Sequence, residues 1–117
     1  MAYDEKLTER VRLALAPRRN VVEMKMFGGV CFTVDGHMAC GIVKDLLMVR
    51  LSAQAAAAAL TEEHVRPMDF TGKPLKGFLY VEPAGIATAA RLKHWVQRAA
   101  AHAESLPARQ AVKRPQR

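Results

Sequence analysis

The chain has 117 residues, half of them apolar and a quarter charged, which suits one globular domain and excludes a disordered or collagen-like chain. A domain of this length buries roughly 60–70% of its unfolded surface, enough to fold without disulfide or metal staples. No apolar run reaches membrane length and the polar start Met1-Ala2-Tyr3-Asp4-Glu5-Lys6 is not a signal peptide, so no membrane partner and a cytoplasmic location are expected.

Asp4 to Ala16 reads as a helix, with Leu7, Val11, Ala14 and Leu15 on one stripe at helical spacing. Acidic residues open it and Arg10 and Arg12 lie near its end, as the helix dipole prefers; Pro17 stops it. Val21 to Lys25 is a strand candidate, and Gly28-Gly29 marks a bend or bulge. From Met24 to Leu51 the pattern is that of consecutive strands joined by tight turns at Asp35-Gly36 and Lys44-Asp45. Asp-Gly between apolar runs is a strong hairpin signal because a two-residue turn needs positive φ.

Counting outward from those turns pairs Val34 with His37, Phe32 with Ala39 and Cys31 with Cys40, then Ile42 with Leu47 and Cys40 with Val49. Alternation then places Cys31, Thr33, Met38, Cys40, Ile42, Leu47, Val49 and Leu51 on the core face. The other face receives Val30, Phe32, Val34, His37, Ala39, Gly41, Met48 and Arg50, more apolar than solvent contact requires. Phe32, Val34, Met48 and Arg50 are therefore candidate partner-binding residues, and two-fold self-association through this face is expected.

Ser52 is a good N-cap for a short alanine-rich helix over Ala53 to Leu60. Thr61 to Gly77 reads as a long irregular connection, broken by Pro67, Gly72, Pro74 and Gly77. Loops of this length are often functional, so its basic residues Arg66, Lys73 and Lys76 join the partner-binding candidates. In a competing arrangement the loop folds over the second sheet face and buries Phe70 against Phe32. Phe78 to Glu82 is the last strand, and Pro83-Ala84-Gly85 turns the chain. Thr88 to Leu106 is the second long helix, with Leu92, Trp95, Val96, Ala99, Ala103 and Leu106 as its apolar stripe. At ~100° per residue, Arg91, His94, Arg98 and His102 line one flank, a candidate nucleic-acid contact. Past Glu104 there is no acidic residue, and Arg109, Lys113, Arg114 and Arg117 supply four of the net +7 charges. The expected organisation is a domain over residues 1–106 and a disordered basic tail over 107–117, which either only keeps the protein soluble or is the part on which any nucleic-acid binding, nonspecific in kind, depends. The fold class is α+β: two layers, an antiparallel sheet of about five strands around the central three-strand meander, and flanking N-terminal and C-terminal helices.

Chemistry-bearing residues are sparse. Cys31 and Cys40 have apolar company, and a cytoplasmic setting keeps such a pair reduced, so both are expected as buried free thiols. The four histidines are dispersed, with none in a metal-ligand spacing. Gly72-Lys73-Pro74-Leu75-Lys76-Gly77 imitates the start of a phosphate loop, but Phe78 and Leu79 stand where Lys and Ser or Thr belong, and a strand follows. No nucleophile, base and orienter constellation is visible. An enzyme is not expected, and no cofactor.

Met26–Gly29 (M-F-G-G), Met38–Gly41 (M-A-C-G), Leu47–Arg50 (L-M-V-R), Arg66–Gly77 (R-P-M-D-F-T-G-K-P-L-K-G) and Trp95–Val96 (W-V) together resemble the TfoX (Sxy) N-terminal domain family over roughly Tyr3 to Leu106. The resemblance implies an α+β domain with an antiparallel sheet and flanking helices. Longer relatives carry a second, helical domain and activate competence genes together with the cyclic-AMP receptor protein. It therefore implies a regulatory binding module acting on a transcription factor or promoter complex. The alternative, from the apolar sheet face, is a small homodimeric chaperone-like or structural protein that ignores nucleic acid.

Overall fold

A computed structural model of the chain describes residues 3–26, 28–69 and 74–106. In order the elements are α1 (Glu5–Leu15), β1 (Val21–Met26), β2 (Gly29–Val34), β3 (His37–Val43), β4 (Leu46–Arg50), α2 (Ala53–Ala59), β5 (Val65–Asp69), β6 (Pro74–Val81), a 3-10 turn (Pro83–Ile86) and α3 (Ala89–Ser105). The strands form one antiparallel sheet in the order β1-β2-β3-β4-β6-β5. This is the expected α+β class, with helices at both ends of the fold.

Each helix starts where its sequence offers an oxygen to an orphan amide. Asp4 Oδ1 accepts from the Leu7 amide at 3.0 Å, Ser52 Oγ from Ala55 at 3.1 Å, and Thr88 Oγ1 from Arg91 at 3.2 Å. Thr8, buried on α1, satisfies its hydroxyl by donating to the Asp4 carbonyl. Leu7, Val11 and Leu15 of α1 and Leu92, Trp95, Val96, Ala99 and Ala103 of α3 are buried as their spacing predicts. They share one core cluster with Phe32, Cys40, Ile42, Leu47, Val49, Leu79 and Val81 of the sheet.

The meander departs from the counted register at one point. Asp35 and Gly36 take φ of 54° and 83°, and Val34–His37 and Thr33–Met38 pair as expected. The register then shifts, so that Phe32 faces Cys40, Cys31 faces Gly41 and Val30 faces Ile42. Ala39 is the extra residue of this bulge, which no residue-by-residue count from the turn can see. The slip moves Val30, Phe32 and Val34 onto the helix-covered face and sends Cys31 to the opposite one, because one residue of shift exchanges faces. Phe32 and Val34, each 1% exposed, are core residues and cannot belong to an outer patch as expected. The β3–β4 pairs Ile42–Leu47 and Cys40–Val49 are as counted.

The second correction is the connection after α2. Residues 65–69 form β5, which pairs with β6 through Val65–Val81, Arg66–Tyr80 and Pro67–Leu79. Pro67 argued for a loop, but β5 is an edge strand and the register is irregular beside that proline, the two settings a strand proline tolerates. β6 also starts earlier than the expected Phe78, at Pro74. Gly77, at φ 86°, sits where an added Cβ would come within 2.7 Å of the Leu51 carbonyl oxygen, while its own carbonyl accepts from the Leu51 amide at 2.8 Å. Phe70, invoked as a cover for the sheet, and the tail 107–117 lie outside the described residues.

Candidate functional site

Register and alternation assemble the second sheet face from Val22 and Met24 of β1, Cys31 and Thr33 of β2, Gly41 of β3, Met48 and Arg50 of β4, Phe78 and Tyr80 of β6, and Arg66 of β5. Cys31 and Met48 are buried, yet neither belongs to the cluster that the helices complete. Met48 lies across its neighbour: an added Cβ on Gly41 would sit 3.1 Å from the Met48 Cε. At the β1 edge the same face exposes Val22 and Met24, at 54% and 39%.

Two arginines cap rings on this face. Arg50 lies opposite Phe78 with its guanidinium carbon 5.7 Å from the ring centroid, and Arg66 lies opposite Tyr80 at 6.0 Å. These are cross-strand cation–π pairs. Arg66 is also 3.8 Å from Glu82, which lies 4.0 Å from His64. Of the partner-binding candidates, Met48, Arg50 and Arg66 thus come together on one face, while Phe32 and Val34 go to the core. Lys76 is described only as backbone within β6, and Lys73 lies outside the described residues. Phe78 and Tyr80 complete the group and were missed. Their signal was the alternation in F-L-Y-V-E, which sets both rings on the face away from buried Leu79 and Val81.

The basic flank of α3 is less uniform than its spacing suggests. Arg91 and His94 are exposed. Arg98 is engaged, its guanidinium 4.8 Å from the Trp95 ring centroid and 3.6 Å from Glu62. His102 is half-buried, and burial, followed by the charges of Arg50 and His37, holds it below the usual imidazole range. The remaining nucleic-acid candidates, Arg109, Lys113, Arg114 and Arg117, lie outside the described residues.

The cysteines are free and buried. Desolvation raises the Cys31 thiol to about 11 and the Cys40 thiol to about 12, Cys31 adding to the latter. Both are poor nucleophiles at neutral pH. Among the described residues no group of three or more His, Cys, Asp or Glu could hold a metal ion, and no helix is long and apolar enough to cross a membrane. The segment that imitated a phosphate loop runs into β6, so no helix N-terminus stands behind it.

A family model described as the TfoX N-terminal domain matches residues 13–103. No curated protein and no solved structure matches the chain.

Proposed function

The chain belongs to the TfoX N-terminal domain family, and we propose from that premise that it is a regulatory binding module acting in transcription through a protein or promoter partner. The family is one of competence regulators, which supports the regulatory part of the reading. The partner surface in this reading is the second sheet face, and the observation that carries it is the stacking of Arg50 on Phe78 and of Arg66 on Tyr80. Arginine and aromatic residues dominate binding hot spots, because they combine large apolar area with directed polar contact. The test compares transcript profiles of a deletion strain and a strain carrying Arg50→Glu with Arg66→Glu, the variant checked for folding by circular dichroism. The double variant is expected to reproduce the deletion's changes. A deletion that alters no transcript overturns the transcriptional role; a variant that behaves as wild type moves the partner surface elsewhere.

The basic tail adds a nonspecific affinity for nucleic acid in this reading. Four tail cations neutralise at most four phosphates, so the log–log salt slope for duplex DNA is no steeper than about −4. Truncation after Leu106 should remove most of that binding. Unchanged affinity would transfer the contact to Arg91, His94, Arg98 and His102.

A second reading, a homodimeric interaction protein without nucleic-acid binding, is favoured by exposed Val22 and Met24 on the edge strand β1. An unpaired edge with apolar side chains invites two-fold pairing. Val22→Lys with Met24→Lys should give a folded monomer by sedimentation. A wild-type chain that stays monomeric at high micromolar concentration ends this reading.

A further inference from the structure

On the opposite side of the molecule, α1 and α3 run side by side. Gln97 Nε2 donates to the Ala14 carbonyl at 3.3 Å, and Arg18 reaches both Gln97 and Glu104. Between the two helices opens a cleft of about 350 Å³, at the small end of the ~300–1,000 Å³ range of binding pockets. Its apolar lining comes from Leu13, Ala14 and Pro17 on one side and Ala89 and Leu92 on the other. Leu13 is 65% exposed, the most exposed of the large apolar side chains described. It lies off the stripe of Leu7, Val11 and Leu15 that α1 gives to the core, so packing within this domain does not account for a leucine there.

The charged groups lining the cleft, Arg10 and Lys93, are both cations, and among the described residues no carboxylate lines it. Arg10 Nη2 donates to the carbonyls of Ile86 and Thr88 at 2.7 and 3.3 Å. Those acceptors are neutral, so the guanidinium is pinned in place while its charge stays uncompensated. Lys93 is exposed and makes no ion pair among the described residues. An apolar trough between parallel helices, with a fixed cation and a second cation lining it, complements one face of an amphipathic helix whose flanks are acidic. The chain's own basic residues after Glu104 have the wrong sign for it.

We propose that the α1–α3 cleft docks an acidic amphipathic helix of a protein partner, with Leu13, Pro17 and Ala89 receiving its apolar side chains over a floor formed by Leu92, and Arg10 and Lys93 its carboxylates. The site is separate from the sheet face. The proposal draws on the regulatory reading only in taking a protein as the occupant.

The test uses the full chain and two fluorescein-labelled synthetic helical peptides of about 18 residues, five turns, with leucine at i, i+4 and i+7. One peptide has glutamate at the flanking positions and the other lysine. Fluorescence anisotropy should show the glutamate peptide binding at least about tenfold more tightly than the lysine peptide, with the difference shrinking at high salt. Lys93→Glu and Leu13→Glu, both at exposed positions, should each weaken the glutamate peptide by about tenfold or more. Arg50→Glu with Arg66→Glu should leave it unchanged, which separates failure at the cleft from failure at the sheet face. Equal affinity for the two peptides, no binding of the glutamate peptide, or binding indifferent to Lys93→Glu overturns the proposal. So does binding of dodecanoate in place of the peptide, or a dimer abolished by Leu13→Glu, since these assign the cleft to a small amphiphile or a second copy.

Discussion

Phe32 of β2 lies directly opposite Cys40 of β3, and the two are 1% and 0% exposed beneath the helices. Cys31, one residue earlier, faces Gly41 on the other side of the sheet. The two thiols are thus on neighbouring strands but opposite faces, and desolvation holds them at about 11 and about 12. In the native protein near pH 8 neither should react readily with a thiol-titrating reagent, and both should react after denaturation, because the thiolate is the nucleophile. Two fast thiols in the native state would contradict the structure, and none after denaturation would mean a disulfide.

The same pair shows what could be read from the chain. Hairpin turns, caps and apolar stripes are local: Asp35-Gly36, Ser52 and Trp95 declare themselves within a few residues, and each stands where expected, while Asp4 and Thr88, read as the first residues of their helices, are their N-caps. Ala39 does not, because a bulge is decided by how two strands pack beneath α3. The strand at Val65–Asp69 was hidden by Pro67, whose missing amide is tolerated only because β5 is an edge. The groups on the second face were half legible. Arg50 and Met48 follow from the Lys44-Asp45 turn, but Phe78 and Tyr80 join them only through the β4–β6 pairing, which bypasses α2 and β5 in the chain. The α1–α3 cleft depends on a helix–helix contact that no periodicity encodes.

Gly41 tests the packing of the second face. A Cβ there would stand 2.6 Å from the Val30 carbonyl oxygen and 3.1 Å from the Met48 methyl. The methyl can swing away but the backbone oxygen cannot. Gly41→Ala should cost about 1–3 kcal/mol, as overpacked substitutions do, and lower Tm by several degrees. Adding Met48→Ala should not rescue it, because the clash with the backbone oxygen remains and the packing of a buried methionine is lost as well. An unchanged Tm in Gly41→Ala would show that β2 and β3 are further apart than described.

Arg12 ties α1 to the edge strand β1 through a two-pronged pair with Glu23, Nε to Oε1 at 2.8 Å and Nη2 to Oε2 at 2.7 Å, and it also meets Glu9. The Arg12 hydrogen bonds hold the Glu23 carboxyl below its usual range. A carboxylate so lowered stabilises the fold above its unfolded value, about 4.3, and loses that contribution as pH falls through the folded value. Glu23→Gln should flatten part of the acid limb of the stability curve and speed amide exchange in Val21–Met26. It should do neither in an Arg12→Ala background. Effects that simply add across the two substitutions would dismiss the pair as a unit.

His102 gives the opposite side of the same linkage. Burial, then Arg50, then His37 oppose its protonation in the folded chain, so the unfolded chain binds the proton more readily. Stability therefore rises with pH wherever that difference is expressed. The contribution is complete above the unfolded value of about 6.5. It declines as pH falls toward the lower folded value, and levels off beneath it. Urea unfolding at about pH 7.5 and about pH 5.5 should show a loss of stability on acidification that is smaller in His102→Gln, which stays neutral throughout. Arg50→Ala removes the second-largest cause and should raise the His102 ring titration seen by NMR without abolishing its depression, since desolvation is first. A ring that titrates at or above 6.5 in the wild-type chain would remove the basis for the effect, and an Arg50→Ala titration identical to wild type would leave desolvation and His37 as its causes.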